Sequence, residues 1–177
     1  MSLVLLCIAG TASTWAWAAD PFVVTNVHVD ASADNALEAR NFALSQGRTE
    51  AANILLARMS LQSDRDKTGI TQIATEDGAR MIRALEIANE KRSGNRYLAD
   101  ITVAFNAQAV EQYMSAHGLR MVSTQSRKRL VVPLLNDSSN WANNEWTYAW
   151  EKRGYENLLT PLVVINQASL QSIVANP

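Results

Sequence analysis

RYLADITVAF, residues 96–105, decides the fold. Tyr97, Ala99, Ile101, Val103 and Phe105 fall on one side of an extended chain, and Leu98, Asp100, Thr102 and Ala104 fall on the other. Period-two alternation rich in β-branched and aromatic residues predicts a strand with one face in a core. The chain continues through Asn106 into Ala107–His117, where Val110, Tyr113 and Met114 line one side of a helix. Asn106 suits the N-cap and Gly118 suits the position just past the C-terminus.

Upstream, Phe22 to Val29 also alternates. Val23, Thr25, Val27 and Val29 share one face, and Phe22, Val24, Asn26 and His28 share the other. A polar break at Asp30 to Asn35 follows, in which Ser32 or Asp34 could cap the next helix. From Ala36 to Met59 the apolar positions Ala36, Leu37, Ala43, Leu44, Ala51, Ile54, Leu55 and Met59 recur at helical spacing. Gly47 in the middle costs about 1 kcal/mol relative to alanine. Two accounts fit it: a close approach of helix to sheet along the small residues Ala36, Ala43 and Gly47, or a break in the helix. Ser60 to Gly69 reads as a charged loop, and Ile70 to Asn89 as one or two helices. Leu119 to Thr124 is compatible with a short strand.

Beyond a polar connection at Gln125 to Lys128 the pattern changes. Leu130 to Leu135 is apolar on both faces, as in a central buried strand. A polar loop, Asn136 to Asn144, leads to a short helix, Glu145 to Arg153, ended by Gly154, and then to a second apolar run, Leu158 to Ile165. Strand, helix and strand in so short a span predict a parallel βαβ crossover. The expected architecture is therefore α/β: a β-α-α-β-α-β layered unit over residues 20–124, then an incomplete parallel βαβ unit over residues 127–177. A domain seldom ends on a two-strand parallel unit, so a parent chain continuing past Pro177 is expected.

The first residues carry an address. Residues 2–12 are uncharged and mostly apolar, and the segment closes on A-W-A-A before Asp20. A short apolar run ending in an A-x-A pattern is a secretory signal peptide over residues 1–18, with the cut expected after Ala18. The positive charge usual at the start of such a leader is missing, and the competing reading is a buried apolar element of a cytosolic domain. Cleavage removes Cys7, the single cysteine, so the mature chain forms no disulfide and carries no thiol chemistry.

Charged residues make up 19% of the chain and the net charge is −1, which argues against a nucleic-acid binder. No apolar run in the mature chain reaches the ~18 residues of a membrane span. His28 and His117 stand on different elements without metal-ligand spacing, and no G-x-S-x-G, G-x-G-x-x-G or P-loop pattern occurs. The carboxylates of Asp64-Arg65-Asp66 and Glu76-Asp77 read as solvated surface, and Arg127, Lys128 and Arg129 as a solvated strand entry. No catalytic residue, cofactor or metal ligand is assigned. Trp146 and Trp150, four apart, share one helical face and read as anchors of the short helix. Ligands of parallel sheets bind beyond the carboxyl ends of the strands. The candidate ligand or partner surface is therefore Asp137, Ser138, Ser139, Asn140 and Trp141.

Several stretches together resemble a bacterial family catalogued as domain of unknown function 2066. They are F-V-V-T-N-V-H-V-D (22–30), E-A-R-N-F-A-L (38–44), L-L-A-R-M (55–59), residues 97–119, R-L-V-V-P-L-L (129–135), N-N-E-W-T-Y-A-W (143–150) and L-L-T-P-L-V-V-I (158–165). Arg58 stands where such proteins often carry an arginine, and Ser60-Leu61 replaces the glycine expected after it. The resemblance implies an exported, periplasmic protein of Gram-negative bacteria without an established activity, and it supplies no catalytic residues. The expected function is a non-enzymatic module that binds an envelope protein or serves envelope assembly. The alternative is an envelope hydrolase or glycan binder with its site near residues 136–141.

Overall fold

A computed structural model of the protein describes residues 20–131, 145–150 and 154–165. The chain is α/β. Its first part builds a three-stranded antiparallel sheet, in order β1-β3-β2, from β1 (Val23–Ser32), β2 (Ile82–Arg92) and β3 (Arg96–Phe105). β3 is central, and both outer strands run antiparallel to it. β1 and β2 are therefore parallel to each other, with β3 inserted between them, a split β-α-β arrangement.

The long helix α1 (Ala36–Met59) covers one face of this sheet. Asn35, not Ser32 or Asp34, is its N-cap, and its side chain accepts from the backbone N–H groups of Leu37 and Glu38 at 3.1 and 3.0 Å. Ser32 is instead the last residue of β1. The helix runs unbroken through Gly47. Ala39, Ala43, Gly47 and Ala51 form one buried row of small residues along it, so the close-approach account of Gly47 holds and the helix-break account fails. A Cβ on Gly47 would stand 2.7 Å from Ile101 Cδ1 and closer still to Val29 Cγ1. Leu37 and Ile54, expected in the core, face solvent, while Ala52 and Leu56 take core positions.

β3 buries all five residues of its alternating set, and Tyr97, Ile101, Val103 and Phe105 pack with Leu55, Leu56 and Met59 of α1. β1 departs from simple alternation. A bulge between Val24 and Val27, with Asn26 in the left-handed region at φ 58°, moves the strand by one residue. Val24, Val27 and Val29 consequently face the core together, while Val23 pairs with Ala104 on the other face.

Two elements correct the expected order. Charged residues 62–68 form a helix, α2 (Gln62–Thr68), rather than a loop. The stretch expected to be helical through Asn89 holds a single short helix, α3 (Thr75–Met81), and then turns directly into β2. Met121 makes one isolated antiparallel bridge to Ser60 in place of a strand over residues 119–124. The first part is therefore β-α-α-α-β-β-α, closing with α4 (Ala107–Ala116). There Asn106 caps as expected, its side chain accepting from Ala109 N–H at 3.1 Å, and Gly118 follows at φ 67°.

The second part contains the expected parallel pair, β4 (Arg129–Val131) with β5 (Leu162–Val164), and between them the short helix α5 (Glu145–Trp150) and a 3-10 turn at Tyr155–Asn157. Leu130 is exposed, which differs from the fully buried strand expected. Among the described residues β4 has β5 as its hydrogen-bonded neighbour and lies at an edge. The two parts touch at the start of β1. Asp20 N–H donates to the buried Asn157 side chain at 3.0 Å, and Gly154 (φ 105°) lies so close to Thr25 that a Cβ there would collide with its hydroxyl.

Candidate functional site

The surface expected from sequence, Asp137 to Trp141, lies outside the described residues. So does the Trp146 side chain. Trp150 is half-buried, and its ring meets Tyr155 at 5.8 Å between centroids, while the Tyr155 hydroxyl donates to Ala149 O at 2.8 Å. These contacts lie within the second part and fit the anchoring role. Arg127, Lys128 and Arg129 are exposed.

Polar chemistry gathers elsewhere, on the sheet face turned away from α1. His28 of β1 stands across from Asp100 of β3, and His28 Nδ1 lies 2.8 Å from Asp100 Oδ1. Asn89 of β2 donates its side-chain N–H to Asp100 Oδ2 at 2.8 Å. Both neighbours reach Asp100 from bulged strands. Asn26 and Asn89 are the two non-glycine residues with positive φ among those described (58° and 53°), each inside a bulge. Asparagine tolerates that conformation better than most residues. Bulges re-aim side chains and recur beside functional sites. The hydrogen bonds from Asn89 and His28 hold the Asp100 carboxyl below the usual carboxylate range.

The strand ends extend the cluster. Arg96 grips Asp30 with two nitrogens, one at 2.9 Å, and lowers its pKa. Glu90 of β2 turns its carboxylate toward the α1 side instead: Oε1 accepts the hydroxyl of the core residue Tyr97 at 2.7 Å and Arg92 at 2.7 Å, which lower its pKa, and Arg40 of α1 reaches it at 3.4 Å. Burial, aided by Glu90, raises that of Tyr97. A hollow of about 370 Å³ opens among these groups, lined by His28, Asn89, Lys91, Leu98 and Asp100. Sequence reasoning noted His28 but missed its partners. The available signal was Asp100 itself, the one charged side chain between Tyr97 and Phe105.

A second surface follows the solvent side of α1. Phe42 and Ile54, 54% and 39% exposed, line a shallow groove with Ser45, Thr49, Asn53 and Thr75. Thr49 donates to the Thr75 hydroxyl at 3.1 Å, tying α3 to the groove's edge.

Two further charged residues work structurally. Asp64 is buried, not solvated as expected, and is held by Arg120 through two hydrogen bonds at 2.8 and 2.9 Å that lower its pKa. Arg58 donates from one nitrogen to the carbonyls of Pro21 and Val23, both at 2.7 Å, and fastens the end of α1 to the entry of β1.

No family model, curated protein or solved structure matches this chain. None of the described helices is long and apolar enough to cross a membrane, and among the described residues no three His, Cys, Asp or Glu side chains gather as metal ligands.

Proposed function

We propose that this chain is an exported, periplasmic protein that works by contact with an envelope protein, through the solvent side of α1. The carrying observation is the pair Phe42 and Ile54, left exposed along a groove that flanks the buried small-residue row of the helix. Apolar side chains framed by Ser45, Thr49 and Asn53 provide a contact surface of the helix-and-groove kind. The leader read over residues 1–18 supplies the route out of the cytoplasm.

Affinity capture from a Gram-negative envelope extract tests the reading. The mature chain is expected to retain a discrete envelope protein, and Phe42→Ser with Ile54→Ser to lose it while remaining folded. Equal capture by both chains, or capture by neither, contradicts the proposal.

A further inference from the structure

We propose that the outer edge of β1 pairs with the same edge of a second copy of this chain, antiparallel about a two-fold axis at Val29, so that the two sheets run on as one. The pairing uses main-chain groups of residues 27–31 and not the α1 groove, and it is independent of the envelope contact.

β1 is an outer strand, and its register shows which groups it leaves unpaired. Antiparallel partners alternate between hydrogen-bonded and non-bonded pairs. Phe105 N–H donates to Phe22 O at 3.0 Å at one end of the β1–β3 ladder, and Ala33 N–H donates to Asn95 O at 2.9 Å at the other. With the bulge between Val24 and Val27 in between, that phase turns the main-chain groups of Val27, Val29 and Ala31 toward β3 and those of His28, Asp30 and Ser32 outward. The outward set has no main-chain partner among the described residues. The second part of the chain touches this strand at Asp20 and Thr25, ahead of the span. Gly47 meets Val29 and Ile101 together, which sets α1 between β1 and β3 at that level rather than out over the edge. The two edges of the sheet also differ. β2 is interrupted by irregularities at both ends and exposes Glu86, Glu90, Lys91 and Arg92, devices that keep an edge from pairing. From Val27 to Ser32 β1 has no bulge, and Asp30, its one carboxylate there, is already held by Arg96.

Self-complementarity singles out a second copy as the occupant. A two-fold axis normal to the sheet, placed near the middle of the span, falls at His28, Val29 or Asp30. At Asp30 it faces that carboxylate with Asp30 of the second copy, and like charges directly opposite are destabilising. At His28 it brings the Asn26 bulge, with its φ of 58°, into the ladder across from Asp30. At Val29 it faces His28 with Asp30 in both directions, and the outward N–H and C=O groups of these residues exchange hydrogen bonds. On the core side the same axis sets Val29 against Val29 and Val27 against Ala31. All three are buried in the core of each copy, so the apolar row of β1 continues across the seam.

Sedimentation of the mature chain, purified free of envelope material, tests this, and a dimer is expected at about 100 μM. Asp30→Ser and Asp30→Pro both give up the bond to Arg96, but only proline also removes the outward N–H, a loss that an edge strand tolerates. Asp30→Ser should still dimerise, and Asp30→Pro should associate more weakly by about tenfold or more, with matching amide spectra. Single cysteines read the register, because residues 19–177 contain none. Val29→Cys should oxidise to a linked dimer, since non-bonded antiparallel partners stand about 4.5 Å apart at Cα, within disulfide reach. Ala31→Cys, which this register places across from Val27, should stay unlinked. The proposal is overturned by a chain that sediments as a monomer at about 100 μM, by equal association of the two Asp30 variants, or by linking at position 31 as readily as at position 29.

Discussion

Gly47 of α1 and Val29 of β1 meet so closely that no side chain fits between them. The helix axis sits at the distance that a hydrogen allows and a methyl group does not. Val29 is stiff at χ1 and cannot swing away, whereas Ile101 Cδ1, the other neighbour, lies at the end of a longer side chain.

Gly47→Ala should therefore destabilise the protein although alanine is the better helix former. Overpacking costs about 1–3 kcal/mol and exceeds the gain in propensity of about 1 kcal/mol. Val29→Ala opens the missing space, so the double variant should lose less than the two single losses added together. A double-mutant cycle in urea measures this coupling. Strict additivity would mean that α1 does not rest on β1 at this point.

The Asp64 and Arg120 pair sets an acid limb on stability. The folded carboxyl has a lowered pKa, while the unfolded one titrates near about 4. As pH falls through that range the unfolded chain takes up the proton first, so the stabilisation is present above about pH 4 and is lost below it. Asp64→Asn should melt at a lower temperature than the parent at neutral pH, and the difference should shrink as the pH falls to about 3. Thermal melts across that range check the sign.

Arg58→Met should cost on the order of 2–3 kcal/mol, because it withdraws a charged donor from two backbone carbonyls. The loss should be local at first. Hydrogen exchange should speed up in the first residues of β1 before the centre of β3 responds.

β3 and α4 were legible in the sequence because each carries one strong local signal: unbroken alternation from Tyr97 to Phe105, and Asn106 at a cap with Gly118 behind the helix. β2 was not. It is an edge strand with exposed Glu86, Glu90, Lys91 and Arg92, as edges often are. Its alanines at 84 and 88 and its apolar residues at 82 and 85 also match a helical period. α2 is almost wholly polar, and its one clue was Gly69, in the left-handed conformation just past its end. The bulge at Asn26 leaves no pattern that period counting detects, yet it decides which valines reach the core. The His28, Asp100 and Asn89 cluster was hidden for the same reason. Its members come from three strands, and only the register brings them together.

Phe42 offers the most direct test of the contact account. A photo-crosslinking residue placed there in cells, with a matched one at exposed Glu111 on α4 as control, reports what touches each face. The account predicts one discrete envelope adduct from position 42, none from position 111, and an adducted chain that begins at Ala19. Identical labelling from both positions, or an adduct formed in the cytoplasm by a chain still carrying Met1, would contradict it.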